Sequence, residues 1–114
     1  MKFSAAITPP EPGRLTPRLN RTMYWVYILR SLKNRNALYI GYTSNLDGRL
    51  NEHNSGMSLH TKKYMPWEMV YCEGYANEQD AKDREKALKQ FGRVYARLKV
   101  RIRRSLQGAI KARG

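Results

Sequence analysis

Residues 24–30 read YWVYILR, and residues 37–42 read ALYIGY. Aromatic and β-branched side chains dominate both segments, a composition typical of strands that are covered on both faces. Between the two segments, residues 33–36 read KNRN, a polar cluster that predicts a turn. The two segments are therefore expected to pair as a hairpin.

Helix and strand signals alternate after this hairpin. Ser44 or Asn45 is expected to cap a first helix that ends at residues 55–56. Residues 57–66 are predicted to form a loop, residues 67–75 alternate as a third strand, and Asn77 is expected to cap a helix running to about Gln90. A last helix is expected from Val94 onward, with an apolar stripe made of Leu98, Ile102, Leu106 and Ile110. This order predicts a small α/β layer structure.

Positive charge is concentrated outside the central part of the chain. The 114 residues suffice for one compact domain, and the formal net charge is +13. Residues 1–22 hold every proline except Pro66 and predict a disordered basic tail, whereas residues 23–92 are nearly charge-balanced and form the expected domain. Residues 93–114 carry eight basic and no acidic side chains, which predicts an arginine-rich helix packed on or extending the domain. Its charge favours nucleic acid over membrane as a partner, the alternative being a solvated helix that only keeps the protein soluble.

Several classes of protein are disfavoured by the sequence. No apolar run approaches the length of a membrane span, and residues 1–6 are too short for a signal peptide, so a cytoplasmic protein is expected. Met1 and Met23 are both candidate translation starts, because the ordered pattern begins directly after Met23. The lone cysteine, Cys72, excludes an internal disulfide and a cysteine-only zinc site, and it is expected to be a small buried residue of the third strand.

Charged side chains fall on helix faces that should be apolar. At 100° per residue, Arg49 and His53 lie on or beside the face of the first helix that packs on the sheet. Glu85 shares a face of the second helix with core positions. Buried charges are normally paired, bound to a metal or placed at the edge of a cleft. An internal ion pair between Arg49 and Glu85, or snorkelling of Arg49, would explain these positions without any activity.

Two tyrosines are expected to meet these charged groups. Tyr27 and Tyr39 lie on the two strands of the hairpin, and Tyr39 shares its strand face with Gly41. If the hairpin places both rings on one side, two phenols meet an arginine, a histidine and a carboxylate. That combination contains a metal ligand, a charge clamp and proton-transfer groups, which are what hydrolysis of a phosphodiester requires.

Over about residues 23–92, these positions resemble the signature of the GIY-YIG nuclease superfamily. The first tripeptide of that signature corresponds to residues 25–27, WVY, where only the tyrosine is retained, and the second is intact as YIG at residues 39–41. The arginine, histidine and metal-binding glutamate of the family correspond to Arg49, His53 and Glu85. Further stretches resemble the small standalone bacterial members of the family.

The resemblance implies a fold, an activity and a role for each residue. The fold is a small three-stranded antiparallel sheet packed with helices. The activity is divalent-metal-dependent endonuclease hydrolysis of nucleic acid, with DNA favoured over RNA, in a setting such as DNA repair. No obligate protein partner is expected. Glu85 would bind one Mg²⁺ or Mn²⁺, and Arg49 would neutralise charge on a phosphate oxygen. Tyr27, with its pKa lowered by adjacent positive charge, would deprotonate the attacking water, while Tyr39 and His53 would position phosphate or water.

Six further basic residues are expected to contact nucleic acid, namely Lys62, Lys63, Arg93, Arg97, Arg101 and Arg104. Two other functions stay open. One is a nucleic-acid-binding module without catalysis, favoured because no asparagine follows Asn77, whereas many family nucleases have one beyond the glutamate. The other is a protein-interaction adaptor whose basic segment binds an acidic partner.

Overall fold

A computed structural model describes residues 22–107. The tail predicted at residues 1–22 lies outside this range apart from Thr22, and residues 108–114 of the predicted last helix lie outside it as well. The elements are β1 (Tyr24–Ser31), β2 (Leu38–Thr43), α1 (Leu46–Asn54), α2 (Leu59–Lys62), β3 (Trp67–Tyr75), α3 (Glu78–Gln90) and α4 (Gly92–Arg101). None of the helices in this part of the chain is long and apolar enough to cross a bilayer.

The three strands form one antiparallel sheet in the order β2-β1-β3. This confirms the predicted fold class. On β1, Tyr27 is paired with Gly41 and Leu29 with Tyr39 of β2, so the two tyrosines project from the same face of the sheet. The order also makes β2 and β3 the two edge strands, on opposite sides of the central β1.

Helices cover both faces of the sheet. On one face, Val26 and Ile28 pack with Ala81 and Leu88 of α3 and with Leu98 of α4. On the other face, the buried cluster is built from Tyr27, Leu29 and Trp67, against which side chains of α1 such as Leu46 and Leu50 pack. The strands therefore alternate between two apolar environments, as their continuous aromatic and β-branched composition predicted.

Local capping signals place the two helices that flank the site. The Asn45 side chain accepts a hydrogen bond from the Gly48 backbone N–H at 3.0 Å, and the Asn77 side chain accepts one from Gln79 at 2.8 Å. Both predicted caps are thus confirmed. Gly56, at φ 81°, takes the left-handed conformation that commonly follows the end of a helix.

Two secondary-structure predictions need correction. Residues 57–66 are not a plain loop, because the four-residue helix α2 lies within them. The last helix begins at Gly92 rather than Val94, and it is interrupted at Ile102 before residues 103–107 become helical again. Leu98 and Ile102 are buried as the apolar stripe predicted.

The expectation of a buried Cys72 is wrong, because Cys72 is exposed. It lies on β3, an edge strand, directly opposite Tyr27 of β1. The apolar cluster on that face includes Trp67 and Met69 of β3 but does not extend to Cys72. Burial here depends on where the covering helix ends, which the residue's own strand pattern does not encode.

Candidate active site

Tyr27 lies at the centre of the site and is almost fully buried, with 1% of its surface exposed. Its ring lies over the backbone of the neighbouring strand at Gly41. A Cβ atom built on Gly41 would lie 2.5 Å from Tyr27 Oη and 2.7 Å from Tyr27 Cζ, closer than real contacts allow. The glycine that ends the YIG tripeptide is therefore required so that the Tyr27 phenol can lie across β2.

The last turn of α1 brings a histidine to this phenol. His53 is completely buried, and its Nε2 atom lies 3.0 Å from Tyr27 Oη. Its other ring nitrogen, Nδ1, lies 2.7 Å from Thr61 Oγ1, at the short helix α2. Both nitrogens of a buried imidazole thus have partners, which sets its orientation.

The hydrogen bonds of the site run in one direction. Arg49 Nε–H can only donate, and it does so to Tyr27 Oη at 3.3 Å, so the Tyr27 proton is available for His53 Nε2. Thr61 donates its own proton to the Ser58 carbonyl at 3.4 Å and so accepts from His53 Nδ1–H. The result is a chain of donors from a guanidinium through a phenol to a neutral imidazole.

Burial sets the protonation states within this chain. Burial raises the pKa of Tyr27 to about 12, and the hydrogen bond from Arg49 opposes that rise without overcoming it. Arg49 thus acts in the expected direction, but burial outweighs it, so the expected net lowering of the Tyr27 pKa is wrong. Burial also lowers the pKa of His53 from 6.5, with the charge of Arg49 acting in the same sense. Around neutral pH, Tyr27 is thus protonated and His53 is neutral.

Arg49 connects this buried chain to solvent. Its side chain is 38% exposed, and its Nη1 atom forms an ion pair with Glu52 Oε1 at 2.7 Å. Arg49 lines a cavity of about 400 Å³, whose other walls include Tyr24, Tyr42 and the carboxylates of Glu52 and Glu78. Arg49 is therefore the group through which an anion in this cavity would meet the Tyr27 hydroxyl.

Tyr39 contacts the same histidine from the edge strand. Its ring centroid lies 4.8 Å from that of His53 and 6.3 Å from that of Tyr27. On its other side, Lys89 Nζ lies 5.7 Å from the centre of the Tyr39 ring. Since Lys89 belongs to α3, which packs on the opposite face of the sheet, this helix reaches round the β2 edge to the site.

Glu85 is also on α3, and it is held by Lys89 Nζ, which lies 3.1 Å from its Oε2 atom. Its side chain is 21% exposed. Besides burial, the negative charge of Glu85 contributes to the raised pKa of Tyr27, so the carboxylate lies within electrostatic reach of the phenol. The internal ion pair between Arg49 and Glu85 is not formed, because these residues pair with Glu52 and Lys89 instead.

The comparisons with known proteins bear on this arrangement. The family model for the GIY-YIG catalytic domain matches residues 23–95, which include both tyrosines and Arg49, His53 and Glu85. The chain belongs to the GIY-YIG family. No solved structure matches it.

Relatives of known sequence include small bacterial proteins and one larger endonuclease subunit. The chain is 37% identical over 71 residues to a UPF0213 protein of Staphylococcus haemolyticus, which covers 61% of this chain and 84% of that protein. It is 36% identical over 78 residues to a UPF0213 protein of Oceanobacillus iheyensis, covering 68% and 87%. It is 41% identical over 78 residues to the structure-specific endonuclease subunit SLX1 of Podospora anserina, covering 63% of this chain but 22% of that protein. GIY-YIG membership and this last relative support a nuclease-type function.

Glu85 fits the metal role that the GIY-YIG resemblance assigns to it. Within residues 22–107, no group of three or more His, Cys, Asp or Glu side chains is placed to hold an ion. A site with one protein carboxylate suits Mg²⁺, which keeps several waters and takes its remaining ligands from substrate phosphates. The ammonium of Lys89 already neutralises this carboxylate, so a metal ion bound by Glu85 would have to displace it.

The basic residues predicted to contact nucleic acid are exposed, but they are not all near Tyr27. Lys62 is the last residue of α2 and Lys63 is its C-cap, and Thr61 of this helix holds His53, so both lysines flank the site. The four arginines lie instead on α4 and the helical turn after it, in the layer on the other face of the sheet; they are Arg93, Arg97, Arg101 and Arg104.

Three partners in the site were missed from the sequence. Glu52 is three residues after Arg49, so helical spacing would have revealed this ion pair. Lys89 is four residues after Glu85 and was visible in the same way. Thr61 has no such signal, because its contact with His53 depends on the fold of residues 57–66.

Proposed function

We propose that this chain is a metal-dependent endonuclease that hydrolyses phosphodiester bonds in nucleic acid, with DNA favoured over RNA. The observation that carries the proposal is the hydrogen-bonded chain Arg49–Tyr27–His53, which ends at a half-exposed guanidinium lining an open cavity. The family match supports the same class of reaction.

Arg49 would act as the clamp on the scissile phosphate. Its Nε–H is bound to the Tyr27 oxygen and one terminal nitrogen is bound to Glu52, which leaves further N–H donors for a phosphate oxygen. When the guanidinium turns toward the phosphate, it uncovers the Tyr27 oxygen. This movement would make the otherwise buried phenol accessible only when substrate is bound.

Tyr27 and His53 would then remove a proton from the attacking water. A phenol whose pKa is about 12 is a poor base by itself. The water proton would pass to Tyr27 Oη while the Tyr27 proton passes to neutral His53 Nε2, leaving an imidazolium. The hydroxide formed attacks phosphorus and the bond to the leaving oxygen breaks. Thr61 holds the imidazole in the tautomer that this transfer requires.

Glu85 would hold one Mg²⁺ or Mn²⁺ beside this chain, and the side chain of Tyr39 would help to position the phosphate. When bound, such an ion polarises the phosphate and stabilises charge on the leaving oxygen. Lys62 and Lys63 would contact neighbouring phosphates of the same strand. A cytoplasmic location and activity without an obligate protein partner, both expected from the sequence, belong to the same proposal.

The test is a cleavage assay of the purified chain on linear, branched and single-stranded DNA and RNA with Mg²⁺ or Mn²⁺. The matched variants are Glu85→Gln and Asp83→Asn, which each remove one carboxylate charge from α3. We expect Glu85→Gln to lower the cleavage rate at least about 100-fold, because it removes the only carboxylate assigned to the ion. Asp83→Asn is exposed on that helix and should cleave like the unaltered chain. Equal cleavage by the two variants would refute the metal assignment.

A binding module without catalysis is the second candidate. The observation that favours it is the ion pair between Lys89 and Glu85, in which a protein cation already neutralises the carboxylate. This candidate predicts strongly salt-dependent binding and no strand scission on any substrate of the panel with either metal. Scission that depends on Glu85 eliminates it.

A further inference from the structure

A second cavity lies away from Tyr27, between helices α3 and α4. It measures about 380 Å³, and its walls carry three guanidinium groups, from Arg84, Arg97 and Arg101, together with the apolar side chains of Val94 and Leu98. A cavity with three arginines and no acidic wall residue is suited to an oxyanion such as phosphate, whose oxygens can accept hydrogen bonds from more than one guanidinium group.

One of the three arginines is already neutralised. Arg84 Nε donates to Glu73 Oε2 at 2.7 Å, and the hydroxyls of Tyr71 and Tyr75 also donate to Glu73. We call these four residues the Glu73 cluster. Burial raises the pKa of Tyr71 to about 12, and the charge of Arg101 is among the effects opposing that rise, so Arg101 lies close to the cluster.

The other two arginines have no such partner. In the part of the chain that the structure describes, neither Arg97 nor Arg101 forms an ion pair, and residues 93–107 contain no acidic side chain. The two lie four residues apart on one face of α4, and like charges at this spacing destabilise a helix. A bound anion between them would convert this repulsion into attraction.

We propose that the cavity formed by Arg84, Arg97 and Arg101 binds backbone phosphates of a second segment of nucleic acid, other than the segment cleaved at Tyr27. This proposal rests on the proposed function, since it assumes a nucleic-acid substrate. A polymer is favoured over free phosphate because exposed basic residues continue on both sides of the cavity, at Arg93 on α4 and at Arg104 on the helical turn after it.

The placement of the two regions explains why the segments differ. Arg84 is attached through Glu73 to β3, whereas Lys89 and Glu85 reach the site at β2. β2 and β3 are the opposite edges of the sheet, with β1 between them. Helix α3 thus presents one side to the Tyr27 site and another to the cavity of Arg84, Arg97 and Arg101. This cavity would hold another arm of a branched or bent substrate.

The decisive experiment compares two double variants that each remove two charges from the same helical segment. Arg97→Gln/Arg101→Gln empties the cavity of its unpaired charges, while Lys99→Gln/Arg103→Gln leaves the cavity unchanged. Binding of the full chain to a DNA duplex is measured against salt concentration in the absence of divalent metal. We expect the magnitude of the slope of log affinity against log salt to fall by about 2 for the first variant, because each of the two lost phosphate contacts contributes about 0.9. For the control, we expect it to fall by less than about 1. Equal slopes for the two variants overturn the proposal.

Two further measurements separate the alternatives. The guanidinium NMR signals of Arg97 and Arg101 should shift when a short duplex is added; if only inorganic phosphate shifts them, the cavity is a free-phosphate site and the proposal is wrong. Arg97→Gln/Arg101→Gln should melt at the same or a higher temperature, because repulsion is removed, and a lower midpoint would mean that the arginines are structural. If the unaltered chain cleaves nothing but the slope difference is found, the proposed function fails while the second binding region stands.

Discussion

The Tyr27 site and the Glu73 cluster use the same kinds of side chain on opposite faces of the sheet, but they differ in how completely their hydrogen bonds are satisfied. Glu73 accepts from two phenols and one guanidinium, and its side chain is only 17% exposed. Burial by itself would raise the pKa of Glu73, yet these three donors hold it below its ordinary value. We therefore call the Glu73 cluster closed, meaning that its carboxylate is neutralised and hydrogen-bonded by side chains of the protein itself.

At the Tyr27 site, the phenol is at the centre and the charge is at the periphery. Arg49 keeps unused donors facing a cavity, and Glu85 is balanced by a flexible lysine rather than by buried donors. A closed cluster lowers the free energy of the fold, whereas an open cluster can exchange an internal partner for a substrate. This difference in closure, more than residue type, separates a structural cluster from a candidate catalytic one.

The largest expected effect comes from removing single phenolic hydroxyls in the two regions. Tyr27→Phe should lower the cleavage rate about 100- to 10,000-fold, because it interrupts the proposed proton transfer. Tyr71→Phe removes an equivalent hydroxyl from the Glu73 cluster and should leave the rate unchanged while lowering stability. Rates are measured with substrate in excess, at a temperature where both variants are folded. If the two variants lose activity to the same degree, the contrast between open and closed clusters does not hold.

Glu73→Gln should affect stability rather than cleavage. Replacing the charged acceptor of three donors is expected to lower the free energy of unfolding by about 2 kcal/mol at pH 7, since charge-assisted hydrogen bonds are lost in a mostly buried place. The folded-state pKa of Glu73 is depressed, so its stabilising effect is complete above 4.5 and is lost as the pH falls below that value. Urea unfolding from pH 7 to pH 3 should therefore show the variant and the unaltered chain converging. A constant difference across this range would contradict the assignment.

The smallest expected effect is on the pH dependence of cleavage. His53 must be neutral to accept the Tyr27 proton, and its folded-state pKa is lowered from 6.5. The rate should therefore hold at pH 6.5 and fall only at lower pH, by up to tenfold per unit below the His53 pKa. The titration of His53 can be followed by NMR, with His60→Gln used to assign the signals of the two histidines. A titration midpoint of His53 above pH 6.5 would exclude this residue from the proposed proton transfer.

The elements and their caps were predictable because they depend on neighbours along the chain. The strand Trp67–Tyr75 and the caps Asn45 and Asn77 follow from alternation and short polar side chains. The shared face of Tyr27 and Tyr39 stayed a condition at that stage, because it depends on the register between the strands. The short helix α2 was missed, because residues 57–66 have neither a regular period nor a strong cap.

The sequence by itself determined which residues are candidates for chemistry and that Gly41 shares the strand face of Tyr39, since these depend on spacing and on alternation along a strand. Only the tertiary structure decided that Tyr27 has a raised pKa, that Arg49 pairs with Glu52 rather than Glu85, and that Cys72 is exposed. Spacing is set by covalent geometry and short-range sterics, which each segment carries within itself. Burial and charge pairing depend instead on which distant segments cover a side chain, and those segments come together only when the sheet and its two helical layers are assembled.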